Sequence, residues 1–434
     1  MSTIERVSAL EILDSRGRPT VRAMCVLTGG ARGTASVPSG SSTGTGEALE
    51  RRDGDLRRYR GLGCRAAVGH VNGVLNGTLA QHPLADQGEL DRALIEADGT
   101  ANKGRLGANA LLAVSLAFAR AMAMERGVPL YQHFADMVGA SARVLPRPAI
   151  NLFSGGKHAG GQVAIQDVLV VPITARTIDE TLSMTSDVYQ AAAALAYHTY
   201  AMRALTADEG GLAPPFPSAE AMLGDAVDAI RAAGLEPGTE VVLAIDVAAS
   251  HFYRDNRYHL DGAPLDSNGM IARLSDWLDH YPIVSVEDGL AEDDWEAWPE
   301  LYRRVAGRAL VLGDDLLCTN PGRIRRAVAA GAADALLLKV NQIGTLTEAA
   351  EAYRLARDAG WSVTMSARSG ETEDDWLADL AVGWSGDYIK VGSIRQSERL
   401  SKYNRLLAIE RDACLPLAPW PTGHRKRMRH STVP

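Results

Sequence analysis

Lysine is what this chain most lacks. Among 45 basic residues only Lys103, Lys157, Lys339, Lys390, Lys402 and Lys426 are lysines; the rest are arginines. Arginine stays charged inside proteins, whereas lysine can be tuned into a base, so a lysine kept against this background marks a position arginine cannot fill. Cysteine is scarce too. Cys25, Cys64, Cys318 and Cys414 share no pairing pattern or metal-ligand spacing, which argues against a disulfide scaffold or zinc knuckle and points to reduced thiols in a cytoplasm. No apolar run attains the roughly 18 residues of a membrane span. The opening MSTIERV has no signal-peptide core, so neither membrane nor export is expected. A basic excess is absent as well: net charge is −8 and pI near 5.7, which gives no reason to expect a nucleic-acid partner.

What is present describes an ordinary globular chain, with 46% hydrophobic and 23% charged residues. A length of 434 residues exceeds one ordinary core, so two domains are expected. In the first, residues 1–140, TIERVSALEIL and PTVRAMCVLT alternate like antiparallel strands around the turn-rich DSRGRP. VPSGSSTGTGEALE follows as a loop of small residues before a helical stretch; on composition alone it also reads as a flexible linker. LGANALLAVSLAFARAMAMERG predicts a core helix with a wide apolar face. The proline-containing run near 140–149 marks the boundary. The second unit, 141–420, opens with a glycine-rich loop containing His158 that leads into a strand carrying Asp167. A helix is expected near 178–204, and LTADEGG sets Asp208 and Glu209 in a tight turn. Residues 421–434 form a basic tail, read as a solvated end.

The second unit carries a train of apolar runs, each ending in a polar residue. VVLAID ends at Asp246, PIVSVED reaches Glu287, ALVLGDD reaches Asp314 and ALLLKV reaches Lys339; SVTMSARS delivers Ser366, Arg368 and Ser369, and DYIKVGS delivers Lys390. After one longer step they recur about every 25 residues, what a strand, a helix and two short loops consume. Parallel strands buried on both faces read as such runs, and functional groups gather at their C-terminal ends, so the pattern is an α/β barrel with its site at one mouth. Asp246, Glu287 and Asp314 offer only hard oxygen donors, which favours Mg²⁺ over zinc. Burial and positive neighbours would lower the pKa of Lys339 and ready it as a base against a carbon acid, with Lys390 as electrostatic stabiliser. Arg368 with Ser369 could grip a phosphoryl group.

EILDSRGRPTV, VPSGSSTG, LGANALLAVSLA, ADEGG, IDVAAS, PIVSVEDGL, GDDLLCTN, LLKVNQIGTLTE, SGETEDDWLADLAVG, IKVGS and KYNRLL, in this order along nearly the whole chain, resemble the enolase family. The resemblance implies an α/β fold in which an N-terminal α+β domain caps an eight-stranded, TIM-like α/β barrel, usually as a homodimer. It implies a metal triad at Asp246, Glu287 and Asp314, with Ser42 reaching a second Mg²⁺. It further implies Lys339 as base, Lys390 as carboxylate contact, Arg368 and Ser369 as phosphate contacts, Glu209 as general acid and His158 as the second-loop histidine.

Departures from the family pattern cluster near this site. Ala367 stands where the family has histidine, and Asp167 followed by Val168 where it has glutamate and phenylalanine. Lys157 replaces an acidic or small residue, Gly160 and Gly161 replace polar ones, Ser41 replaces alanine and Ala207 glycine. The pattern leads us to expect a relative resembling carboxyphosphonoenolpyruvate synthase. Such an enzyme takes a small phosphorylated carboxylate, and a nucleotide-linked phosphonoformate is the candidate co-substrate. Asp167 then joins the catalytic candidates, and Ser41 and Lys157 the substrate-binding ones. An ordinary enolase converting 2-phosphoglycerate to phosphoenolpyruvate is the alternative, and a non-catalytic binding protein on the same fold the third reading.

Overall fold

The computed structural model describes residues 2–420; the basic tail at 421–434 lies outside the described residues. The N-terminal unit is built on antiparallel strands β1 (Ser2–Leu13), β2 (Pro19–Leu27) and β3 (Arg32–Ser36), with the short β4 (Pro83–Leu84) on the other edge, in the order β3-β2-β1-β4. The expected apolar helix spans Ala108–Arg126 and packs on this sheet. Most of its apolar window is buried, so its length and hydropathy serve a core. Gly33 allows the close approach: a Cβ there would lie 2.0 Å from the Ala117 carbonyl oxygen and 2.4 Å from the Ala121 nitrogen. The helical stretch expected directly after the small-residue loop is absent, because the chain runs irregularly to Cys64 and turns helical only at Arg65–His70, apart from one short turn at Tyr59–Gly61. Backbone groups along it are taken up by other loops instead, as when Ala48 and Leu49 donate to Gln342 and Asn102.

Eight strands close a barrel: β5 (Arg147–Ser154), β6 (Asp167–Pro172), β7 (Val241–Asp246), β11 (Ile283–Glu287), β12 (Leu310–Gly313), β13 (Ala335–Leu338), β14 (Ser362–Ser366) and β15 (Tyr388–Lys390). Between β7 and β11 a small sheet projects, made of β8 (Tyr253–Arg254), β9 (Arg257–Leu260) and β10 (Ala263–Leu265). The barrel strands β7, β11, β12, β13, β14 and β15 are parallel, as the apolar train implies. The first hairpin departs from this pattern, since β6 runs antiparallel to both β5 and β7. Its first residue, Asp167, therefore reaches the mouth where the other strands bring their last.

The barrel interior is packed with side chains such as Leu169, Val242, Val284, Leu312 and Leu337, and Tyr388 stacks 4.9 Å from Trp420 within the same cluster. Some surrounding helices begin at side-chain caps: Thr177 accepts from the Glu180 N–H and Thr345 from that of Glu348.

Candidate active site

Each strand end contributes one group to the mouth. Asp246 and Glu287 are paired in register across β7 and β11, and Asp314 follows β12 directly. All three carboxylates are buried. Lys390, at the end of β15, crosses the barrel to meet them. Its Nζ lies 2.8 Å from Asp246 Oδ2 and 2.9 and 2.8 Å from the two Glu287 oxygens. Lys339 follows β13 and pairs with Asp314, whose other oxygen accepts from Gln342 Nε2 at 2.8 Å.

The titration behaviour follows from burial and these pairs. Burial disfavours charge on Asp246, but Lys390 outweighs it and holds the carboxyl below its usual range. Burial and the charge of Asp246 push Glu287 well above that range, because one ammonium serves two carboxylates. Burial also lowers Lys390, yet Asp246 and Glu287 hold it well above the ordinary lysine value. For Lys339 the expectation of a lowered pKa is corrected: burial lowers it, as reasoned, but the adjoining Asp314 carboxylate more than offsets this and the net direction is upward. The acid in contact with Lys339 outweighs its positive neighbours and its burial.

The second constellation sits on loops. His158 Nδ1 lies 2.9 Å from Asp167 Oδ2, and its Nε2 faces Glu209 Oε1 at 3.7 Å. Ser154 donates to the other Asp167 oxygen at 2.6 Å, and Asn151 Nδ2 to Glu209 at 3.2 Å. Burial works against a charged imidazole, but Asp167 and Glu209 raise His158 to about 9. Burial would raise Glu209 too, but His158 and nearby cations bring it below the usual range. Burial also raises Asp167, with the His158 contact working against it, so the trio titrates as a coupled unit. An imidazolium flanked by two carboxylates suits proton handling better than metal ligation, which needs a free nitrogen lone pair.

The small-residue loop is no linker; it lies on the barrel mouth. A Cβ on Gly40 would fall 2.0 Å from Arg368 Nη2, and Ser39 exchanges backbone hydrogen bonds with Gly370. Ser41 N and Oγ both bond Ser369 Oγ, at 2.8 and 2.9 Å, and Arg16 donates to that hydroxyl at 3.0 Å. Ser42 Oγ meets His251 Nε2 at 2.7 Å, while its carbonyl accepts from Arg368. Arg368 is buried and forked onto Glu47 at 3.0 and 3.1 Å. Ser41, Ser42, Arg368 and Ser369 thus come together. Lys157 does not join them, being exposed at the rim of a separate cavity. Ala367 is buried at the end of β14, its N–H donating to the Lys390 carbonyl at 2.9 Å.

Several participants escaped the sequence reading. Gln166 Nε2 donates to Asp246 at 3.1 Å, and the Asp288 carboxylate accepts from the N–H groups of Asp314 and Asp315 at 3.0 and 2.7 Å, fixing the turn that presents Asp314. Glu47 and His251 hold the first loop. Gln166 and Asp288 directly adjoin residues that were singled out, which was a usable signal. Glu47 and His251 carried none.

Do these residues fit a divalent cation? Asp246, Glu287 and Asp314 present oxygens only, on three neighbouring strands, and the upward push on Glu287 marks more buried carboxylate than two ammonium groups neutralise. Their oxygen-only chemistry suits Mg²⁺, with Lys390 Nζ lying between Asp246 and Glu287 in this arrangement. Two other groups bring their ligand atoms within 4.8 Å of one another, His158 with Asp167 and Glu209, and Asp288 with Asp314 and Asp315; Asp288 is engaged with backbone N–H groups.

A capped barrel carrying this carboxylate and lysine set at its mouth defines an enolase-superfamily enzyme. Residues 4–134 match the family model for the enolase N-terminal domain and residues 142–416 that for the enolase C-terminal TIM barrel domain. The chain belongs to the enolase family.

Proposed function

We propose that this enzyme removes the α-proton of 2-phosphoglycerate or a close phosphorylated or phosphonate carboxylate. We further propose that its leaving-group end is specialised for a second, anionic substrate, in the manner of carboxyphosphonoenolpyruvate synthase. The contrast at Ala367 carries the reading. The groups serving proton abstraction and anion binding are buried and mutually paired, whereas the family's histidine position beside Lys390 holds only a methyl group.

Lys339 is the base for the α-proton in this proposal; its pairing with Asp314 holds a proton on it, so it acts only when that pairing is loosened. Lys390 Nζ, held between Asp246 and Glu287, opposes the negative charge that then grows on the substrate carboxylate. Arg368 and Ser369 grip the phosphoryl group and Ser41 steadies Ser369. Mg²⁺ held by Asp246, Glu287 and Asp314, with a second ion near Ser42 as the family resemblance implies, would supply further positive charge against that carboxylate. A homodimer in the cytoplasm belongs to the same proposal.

An ordinary enolase is the second reading, favoured by the presence of Glu209 and Lys339 at one mouth. Proton NMR of 2-phosphoglycerate in D₂O with Mg²⁺ separates the two. The expected result is exchange of the C2 proton without accumulation of phosphoenolpyruvate; rapid accumulation would overturn the proposal. Ala367→His sharpens the test. A weakened ordinary enolase should gain on the order of 10²-fold in phosphoenolpyruvate formation from a restored relay group, and the specialised enzyme should gain nothing.

A further inference from the structure

The anion grip at the mouth is already full. An arginine has five N–H donors, four of them on its two terminal nitrogens. In Arg368 all four are used. Nη1 donates to Glu47 Oε2 at 3.0 Å and to Asn341 Oδ1 at 3.1 Å; Nη2 donates to the Ser42 carbonyl at 2.7 Å and to Glu47 Oε1 at 3.1 Å. That leaves the Nε–H, and one donor does not make a two-point grip. Ser369 is saturated as well. Its Oγ accepts from the Ser41 N–H at 2.8 Å and from Arg16 Nη1 at 3.0 Å, which leaves its single proton for Ser41 Oγ at 2.9 Å.

Glu47 is the chief occupant. Its carboxylate lies across the guanidinium fork in the two-point geometry that a phosphoryl group would take. The Arg368 and Glu47 side chains are only 2% and 8% exposed, so water competes little for either. A second anion entering beside Glu47 would meet like charge in a buried place, which is strongly unfavourable. Glu47 also has somewhere to go. The Gly44 N–H donates to its Oε1 at 3.1 Å, and Gln342 Nε2 donates to the same oxygen at 3.4 Å. Neither contact needs Arg368. This second resting place is the poorer one. The Gln342 nitrogen already holds Asp314 Oδ1 at 2.8 Å, and an amide binds a carboxylate less strongly than a guanidinium does. Entry is therefore a contest, in which the incoming anion must bind Arg368 well enough to offset moving Glu47 onto weaker partners.

We propose that Glu47 is a specificity-determining residue: it occupies Arg368 until a doubly charged phosphoryl or phosphonyl group displaces it, and singly charged analogues are turned away. A dianion outcompetes a carboxylate for the guanidinium fork, whereas a sulfonate, with one charge, does not. The proposal rests on the assignment of Arg368 and Ser369 to the phosphoryl group and deepens it by naming the charge class this grip admits.

Calorimetry on the full-length, Mg²⁺-loaded protein tests it with phosphonoacetate and sulfoacetate. The two share a carboxylate and differ at the other end by one charge when the phosphonate is fully ionised. The unsubstituted protein should bind phosphonoacetate about 100-fold more tightly than sulfoacetate. In Glu47→Gln, which keeps the shape and removes the charge, sulfoacetate should gain more than phosphonoacetate and the ratio should fall about tenfold. Glu50→Gln is the control. Glu50 also adds charge near Arg368, but it is seated on Arg52 and Ser39, so its loss should leave the ratio unmoved. Glu47→Asp, too short to span the fork, should shift the ratio in the same direction as Glu47→Gln. Equal affinities in the unsubstituted protein, an unchanged ratio in the Glu47 variants, or an equal fall in Glu50→Gln would overturn the proposal. Loss of both ligands alike in the two Glu47 variants would make Glu47 structural and overturn it too. The reading beneath fails differently. Arg368→Lys, which loses the fork, should weaken phosphonoacetate about tenfold; if it does not, the phosphoryl group is held elsewhere. Weakening there combined with an unmoved ratio in Glu47→Gln sinks the charge filter alone.

Discussion

The two sides of the barrel mouth hold their reactive groups by different means. On one side Asp246, Glu287, Asp314, Lys339 and Lys390 stand at or just past the ends of parallel strands, so ladder register fixes their spacing. On the other, His158, Asp167 and Glu209 depend on a glycine-rich loop, a reversed strand and a tight turn. The first side carries the groups proposed for proton abstraction. The second side holds most of the departures from the family pattern. Chemistry that must not drift is built on the sheet, and chemistry that distinguishes one enzyme from its relatives is built on connections.

The largest effect expected from breaking this contrast falls on the strand side. Lys339→Ala should lower C2 exchange by about 10²–10⁴-fold, the usual contribution of a general base. Its thermal stability should change far less, because Asp314 keeps Gln342 as a partner. Exchange that survives the substitution would move the base elsewhere.

Next comes Lys390→Met. It leaves Asp246 and Glu287 buried without their shared cation, and loss of one partner from a buried pair costs about 3–5 kcal/mol. Urea unfolding of metal-free protein should show that loss, and Mg²⁺ should restore part of it. A variant as stable as the parent in the absence of metal would refute the charge accounting.

The smallest effect belongs to the loop side and is read by pH. His158 titrates at about 9 when folded against an ordinary 6.5, so its protonation favours the folded form. That stabilisation is complete below about pH 6.5 and lost as pH rises through about 9, amounting to at most about 3 kcal/mol. Denaturant midpoints in metal-free protein should therefore fall across this interval in the parent and stay flatter in His158→Gln. Equal slopes would place the proton elsewhere in the trio.

Legibility in the sequence followed the same division. Buried parallel strands advertise themselves as apolar runs, and their terminal polar residues stand out, so the order Asp246, Glu287, Asp314, Lys339, Lys390 could be read as one mouth. Reversal of β6 was not legible, because a six-residue apolar strand looks alike in either direction. Nor was the engagement of Arg368 by Glu47, since a contact between residues 321 apart leaves no local pattern. The upward direction at Lys339 was missed because a pKa depends on the nearest acid, which only coordinates supply.

The reversed strand has a further consequence for how such a site diversifies. β5, the loop and β6 form a hairpin sealed at its base, where Gly155 N bonds the Gln166 carbonyl at 2.7 Å and Ser154 pairs with Asp167. Residues between these staples can lengthen, shorten or change identity while Asp167 stays where the sheet puts it. The hairpin acts as a cassette in which substrate preference can change as long as His158 keeps its contacts with Asp167 and Glu209.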